Sequence, residues 1–457
     1  MIDHRRTGFL LLTLAAGEGR EYVPAQLDVL VGAARPSVRL TGGRLDRLLS
    51  SYGGAFRATA VYHSRRNLGR VGTRSTGYDD LEEQLGLSRT YRLELADPSQ
   101  TDRVLDSARD LGIVENVCTD RLALTSTVAV DAPLTREDVL APYAMVRSEE
   151  AHAVEPGDER VVVAVVDSGV SLGHSELQRK LLSGYDVVDL GTRPVSTEAT
   201  LLGDSTGLDF APMDDLGHGS HVAGVIGAQG WQLPRGVGGR SMLLPVRVLA
   251  AATVDGEPAV TGIGAISDID VGLKVAVDLG ADVLNMSFGT PATGLEPGDA
   301  IPHRAVLAYA RSNGCVLVAA AGNSGLEENY YPAADPNVIS VGSVGPDRTR
   351  STFSTYGGHL ALSAPGERIV GVGRRGYRRA SGTSHAAPFV AGAAALLLAH
   401  ARRQGRTLGA DDVKSLLTGS AQRSHSPPDE VGAGVLDVAA ALALLDQQLS
   451  HPQGDRP

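Results

Sequence analysis

Residues 161–167 read VVVAVVD, five valines and an alanine closed by an aspartate. A strand with one wet face alternates apolar and polar residues. This run does not alternate, so it reads as a strand buried on both faces. Four more largely apolar runs follow: LLPVRVL (243–249), DVLNMSF (282–288), CVLVAAAG (315–322) and NVISVGSV (337–344). Helical candidates lie between them: SHVAGVIGAQ (220–229), GAISDIDVGLKVAVDLG (264–280) and RAVLAYARSN (304–313). This alternation predicts an α/β fold, a mostly parallel sheet flanked by helices on both faces. Functional groups in such sheets gather at the carboxyl ends of the strands.

The first 130 residues carry a different pattern. FLLLTLA (9–15), LDVLVG (27–32), FRATAVY (56–62) and TYRLEL (90–95) read as strands. GRLDRLLSSY (43–52) reads as a helix. PSQTDRVLDSARDLG (98–112) reads as another, with Ser99 as its cap and Gly112 as its stop. IVENVCTD (113–120) and RLALTSTVAV (121–130) are expected to pair as a hairpin. The chain has 457 residues, which leaves room for more than one domain of ~150 residues. The expected division is a smaller N-terminal α+β region at 1–130, a larger α/β domain at 131–447 and a flexible tail at 448–457, with VDAPLTRED (130–138) as linker.

Charge and composition exclude several functions. A net charge of −11 and a pI near 5.6 argue against nucleic acid or an anionic membrane as partner. Two cysteines, Cys118 and Cys315, make no disulfide framework, and Cys315 reads as a buried, inert thiol. No run reaches the ~18–20 apolar residues of a membrane span. GFLLLTLAAG (8–17) follows Asp3 and precedes EGRE, so it reads as a strand rather than a secretory segment. Cytoplasmic residence is the expectation, with secretion as the alternative.

Polar residues stand at the ends of the apolar elements. Asp167 closes the first strand in DSG. His218 opens a helix in DDLGHGSHVAG (214–224). Asn323 follows CVLVAAAG, and Ser384 opens a helix in SGTSHAAPFVAG (381–392). These residue types fit acyl transfer. A serine hydroxyl needs a base, and histidine titrates near neutrality. The imidazole needs a carboxylate to hold its tautomer. The oxyanion needs fixed donors, which an asparagine amide and the N–H of Ser384 at a helix N-terminus supply. Gly382 permits a sharp turn before the serine, and Pro388 is tolerated in a first helical turn.

DSG, GHGSHVAG, AAAGN and SGTSHAAPFVAG, in the order Asp–His–Asn–Ser, resemble the subtilisin-like serine proteases, the subtilases. The resemblance covers roughly residues 132–447 and includes LNMSFG (284–289) and VGAGVLDVAAAL (431–442). It implies a serine endopeptidase acting on peptides or proteins. Ser384 would be nucleophile, His218 base, Asp167 its orienting carboxylate and Asn323 an oxyanion donor. Ser287, Phe288 and Gly289 would form the edge that pairs with substrate backbone. Tyr330 falls where the family shapes the pocket for the residue before the cut, and narrows it. Glu327 and Glu328 read as a solvated acidic loop. His221 and His385 read as packing residues and His174 as a surface turn residue.

Many subtilases hold calcium in an Asn-rich loop after the histidine helix. AQGWQLPRGVGG (228–239) lacks those carboxamides, and Glu176 alone is not a site. No calcium is expected there, and no metal or cofactor is expected in the reaction. Residues 90–129 are similar in pattern to the propeptides of secreted subtilases. The N-terminal region is therefore expected to pack against the protease and restrain it, the alternative being a permanent accessory domain. The rival functions are a non-catalytic peptide-binding module and an esterase.

Overall fold

The structure is a computed structural model describing residues 4–18, 21–68, 77–125, 128–129, 135–191, 195–196, 198–207, 209–256 and 259–450. Seven strands form one all-parallel sheet, in the order Leu362–Pro365, Val338–Val344, Val316–Ala320, Val283–Met286, Val162–Asp167, Met242–Arg247 and Tyr185–Asp186. Val162–Asp167 is the first of them in sequence. The later strands are laid out to both sides of it, so Asp167 stands at the switch point of the sheet.

The valine run explains this central place. Val163 and Val165 enter the core on one face, Ala164 and Val166 the core on the other. The first face is covered by helices His218–Gly227 and Thr383–Arg403, the second by Ile266–Asp278 and Arg304–Ser312. Alanine and glycine keep Thr383–Arg403 slim. A Cβ on Gly392 would stand 2.7 Å from the backbone nitrogen of Gly238. Among the described residues this is the one helix long and apolar enough to cross a membrane, and its apolar window is wholly buried in the fold.

A second sheet is antiparallel. Its order is Phe56–Ala60, Thr90–Leu95, Arg5–Leu14, Val114–Thr125, Thr261–Ala265, Ala250–Val254 and Ala199–Leu202. Helices Arg44–Gly53 and Thr101–Arg109 contribute Leu45, Leu49, Val104 and Leu105 to a core with Leu10, Leu12, Leu93 and Leu95. Buried polar contacts run from this region to the Ile266–Asp278 helix and its neighbours. Glu82 meets Lys274 at 2.6 Å, Gln26 donates to Asp268 at 2.6 Å and Tyr62 donates to Asp270 at 2.8 Å. Ser267 donates to Asp120, which also pairs with Arg6.

Five expectations differ from the structure. The hairpin at 113–130 is instead one twelve-residue strand, Val114–Thr125. Arg5–Leu14 supplies its partner through most of its length and Thr261–Ala265 does so at its end, and no glycine or proline turns the chain at 120–121. LDVLVG holds a single helical turn, Gln26–Leu30, because Gln26 and Leu27 are buried. The turn at Pro98–Gln100 is capped by Asp97 rather than Ser99. In the linker stretch, Thr135 and Asp138 form a capping box that starts helix Arg136–Met145. Residues 130–134 lie outside the described residues. The final helix runs to Ser450, three residues into the expected tail, and 451–457 also lie outside.

Candidate active site

Asp167 ends the central strand, buried, with Oδ1 accepting from its own neighbour Ser168 N and from His218 Nδ1, both at 2.7 Å. That bond fixes the tautomer of His218: Nδ1 carries the proton and Nε2 offers a lone pair. His218 Nε2 is buried and has no hydrogen-bond partner among the described residues. Gly217, at φ 88°, turns the chain so that His218 becomes the first residue of its helix. The next turn packs tightly: a Cβ on Gly219 would stand 2.2 Å from the Gly169 carbonyl and 3.1 Å from the Asp167 Cβ.

Ser384 sits in the first turn of the Thr383–Arg403 helix, after Gly382 at φ 150°. It is buried. Its hydroxyl donates to the Ser287 carbonyl at 3.1 Å, and the Ser287 hydroxyl donates back to the Ser384 carbonyl at 2.9 Å. No hydrogen bond joins Ser384 to His218. The ring of the following residue, His385, stands 5.4 Å from the His218 ring. Asn323 is held through its side-chain oxygen, which accepts from Thr383 N at 2.8 Å. That contact turns the amide NH2 away from Thr383.

His385 and His221 are packing residues, as their sequence context suggested. Burial pushes His221 down to about 3, with its Nε2 against the Ile369 carbonyl. Burial, together with His221 and His218, holds His385 well below the ordinary range. Both rings stay neutral and stack edge-on at 4.2 Å. His174 contacts the Gly376 carbonyl and the edge of Tyr377. Cys118 and Cys315 are free and buried, their thiols pushed up to about 12 by burial.

A cavity of about 200 Å3 opens beside Ser384 and Asn323, lined also by Phe288, Gly289, Leu124 and Tyr330, among others; Asp167 and His218 do not line it. The Tyr330 ring stands between two glycines. A Cβ on Gly322 would lie 2.7 Å from its Cδ2, and one on Gly289 would lie 3.2 Å from its Cδ1. Burial first, then Glu328, pushes the Tyr330 phenol up to about 12. Phe288 turns its ring away, edge-on to His303 at 6.0 Å.

The chain's own strand occupies the edge at Gly289. Leu124 and Gly289 exchange both backbone hydrogen bonds, and Leu124 also pairs with Ile263 on its other side. Past the undescribed residues 126–127, Val128 and Ala129 pair antiparallel with Ser381 and Ala380. Thr125 and Val128 thus flank the Ser384 turn. Sequence reasoning missed Leu124 at this edge and Asp214 near His218. Asp214 lies three residues before a glycine that has no side chain to cap the His218 helix, and that was the available signal.

Glu176 is buried under the loop after the histidine helix. Oε2 accepts from Gly230 N and Trp231 N, and Oε1 from Gln232 N and Leu233 N, at 2.6–3.1 Å. Burial pushes this carboxyl up, but the four N–H bonds outweigh it and hold it below the ordinary glutamate value. The loop turns N–H groups, not carbonyls, toward Glu176, and those donors do not fit a cation.

Residues 158–434 match the subtilase family. A thermophilic serine proteinase of Bacillus sp. (strain AK1) is 36% identical over 257 residues, covering 56% of this chain and 56% of that protein. The major intracellular serine protease of Bacillus subtilis (strain 168) is 34% identical, covering 55% of this chain and 73% of that protein. Among solved structures, the proteases from Pseudoalteromonas arctica PAMC 21717 align with a TM-score of 0.57 at 27% identity, covering 69% of this chain and 99% of that one. The match spans well over half of the chain: the chain belongs to the subtilase family of serine proteases.

Proposed function

We propose that this subtilase cleaves peptide bonds with Ser384 as nucleophile, His218 as general base and then acid, and Asp167 as the carboxylate that orients the ring. The observation that carries the reading is the 2.7 Å bond from His218 to Asp167, which leaves a buried Nε2 with no partner among the described residues, on a ring 5.4 Å from that of His385, the residue after Ser384. A buried acceptor without a donor costs about 1–3 kcal/mol. Rotation of Ser384 about χ1, away from the Ser287 carbonyl and onto Nε2, relieves it. Contacts of this kind tighten when substrate seats.

In the first step His218 takes the hydroxyl proton as Ser384 Oγ bonds to the substrate carbonyl carbon. The carbonyl oxygen gains the negative charge, and the Asn323 amide and the Ser384 N–H receive it. The imidazolium, steadied by Asp167, returns its proton to the leaving amine as the C–N bond breaks. Water then repeats the sequence on the acyl-enzyme. Substrate would lie along Ser287–Gly289 as an added strand, and the pairing of Leu124 there supports this.

The N-terminal region, proposed as a unit of residues 1–130 ahead of a catalytic unit at 131–447, restrains the enzyme in this reading. Support comes from its strand on the Gly289 edge and from the buried contacts Glu82–Lys274, Gln26–Asp268 and Tyr62–Asp270. The Arg5–Leu14 strand, paired on both sides with Leu10, Leu12 and Leu14 in a core, supports reading this segment as part of the fold rather than as a secretory segment; cytoplasmic residence is the proposal and secretion its alternative. Casein and short acyl esters, tried with wild type and Ser384→Ala, test the activity. The expected result is casein hydrolysis that the substitution abolishes. Ester hydrolysis without any peptide cleavage would overturn it.

A further inference from the structure

We propose that Asp214 is a positioning residue for this site, holding His218 against Asp167 and setting the local charge. The inference rests on the triad reading above. The His218–Gly227 helix begins at Gly217, which has no side chain to cap it. The N–H groups of a first turn need acceptors. Asp214, four residues before His218, provides them with one buried carboxylate. Its Oδ1 accepts from Leu216 N at 3.0 Å and Gly217 N at 2.7 Å, and its Oδ2 from Ser220 N at 2.9 Å. The hydroxyls of Ser168 and Ser220 donate to it as well, at 2.9 and 2.6 Å. These five donors saturate a carboxylate anion, whose two oxygens offer about four lone-pair sites.

Ser168 makes this more than a helix cap. Its hydroxyl donates to Asp214 and accepts from Gly219 N at 3.0 Å, while its own N–H donates to Asp167 Oδ1 at 2.7 Å. One network therefore grips the end of the Asp167 strand and the turn that carries His218. This network adds to the close packing of Gly219 on Gly169 and to the Ser171 N–Ser220 Oγ bond in keeping the 2.7 Å side-chain contact in register. Displacement of a catalytic group by about 1 Å is enough to cost ~100-fold in rate.

The charge of Asp214 acts in the same direction. The groups around the His218 turn are Asp167 from the central strand, His221 on the same helix, His385 on the Ser384 helix, and Arg378 from strand Tyr377–Ser381. The Asp215–Arg374 pair lies toward the surface. Arg378 donates to the Leu216 carbonyl at 3.3 Å, and Asp214 is the carboxylate that offsets its positive charge. Without Asp214, that cation would oppose the imidazolium that His218 becomes during acyl transfer.

Asp214→Asn tests the proposal, since the amide cannot accept all five donors and carries no charge. Expected are a 10- to 100-fold fall in kcat, a KM within about twofold of wild type, and an acid limb of the rate profile displaced to lower pH. Wild-type kcat overturns the proposal. So does a fall in kcat with KM raised in proportion and the acid limb unmoved, which marks general damage. If Asp214→Asn does not fold, Ser168→Ala keeps the charge and removes the bridge. It should then lower kcat without moving the acid limb, and wild-type kcat in that variant overturns the proposal equally. Wild-type protein that takes no fluorophosphonate label would instead signal failure of the triad reading.

Discussion

Leu124 and Gly289 exchange both backbone hydrogen bonds, at 3.1 Å in each direction. The same strand is bonded on its other side to Thr261–Ala265, so it lies between that strand and the isolated bridge at Gly289. Beyond it, Val128 pairs with Ser381, three residues before Ser384. The chain is thus held in the site on both sides of the proposed nucleophile. We expect purified wild type to cut itself between residues 125 and 128, and Ser384→Ala to remain full length. Intact mass spectrometry of the two proteins checks this. Wild type that stays whole while hydrolysing casein would show that the strand does not restrain the enzyme.

Tyr330 fills the slot between Gly289 and Gly322. Peptides with glycine, alanine or serine before the cut should therefore be preferred over those with phenylalanine or leucine. Tyr330→Gly should raise kcat/KM for a phenylalanine peptide by about 10-fold or more, since each methylene admitted to a pocket is worth ~1–3 kcal/mol. An unchanged preference in that variant would place the pocket elsewhere.

The parallel sheet was legible because its strands are buried on both faces, and such strands have a composition of their own. VVVAVVD could hardly be anything else, and it delivered Asp167 to the switch point. Asp167 and Asn323 could be picked out as candidates because each stands at or just after the end of such a strand, and His218 and Ser384 because each opens a helix. The N-terminal sheet was harder. Val114–Thr125 looked like two strands of a hairpin, because its pairing partners are far away in sequence: Arg5–Leu14 and Thr261–Ala265. LDVLVG carries a strand-like composition but is held as a helical turn by Gln26 bonding to Asp268, 242 residues away. Asp214 was passed over because its partners are mostly backbone N–H groups, and the one signal in the sequence was its place three residues before Gly217, which cannot cap the helix.

Glu176 accepts four backbone N–H groups of the loop at 229–233, and we expect that loop to hold its shape without calcium. Excess chelator should leave activity and Tm unchanged, whereas Glu176→Gln should cost about 2–3 kcal/mol of stability by losing charge-assisted bonds. The folded-state carboxyl is held below its unfolded value of ~4.3, so its contribution is full above that pH. It is lost as pH falls through the folded value. Thermal melts from pH 7 to pH 3, with and without chelator, check both points. A Tm that drops on chelation would contradict the assignment.

Asn323→Ala should lower kcat by about 10²–10³ with little change in KM, a range known from removal of one such donor in subtilisin. The bond from Thr383 N to the side-chain oxygen fixes the amide in the free enzyme, so substrate binding need not organise it. Steady-state kinetics on a chromogenic peptide give the answer. A loss confined to KM would make Asn323 a binding residue rather than an oxyanion donor.

The central claim is that the Ser384 hydroxyl, now bonded to the Ser287 carbonyl, becomes a nucleophile through His218. Fluorophosphonate labelling followed by peptide mapping tests it most directly. The account predicts one label, on Ser384, lost in Ser384→Ala and slowed at least 10³-fold in His218→Ala. A label on another residue, or labelling of Ser384 at an undiminished rate without His218, would contradict it.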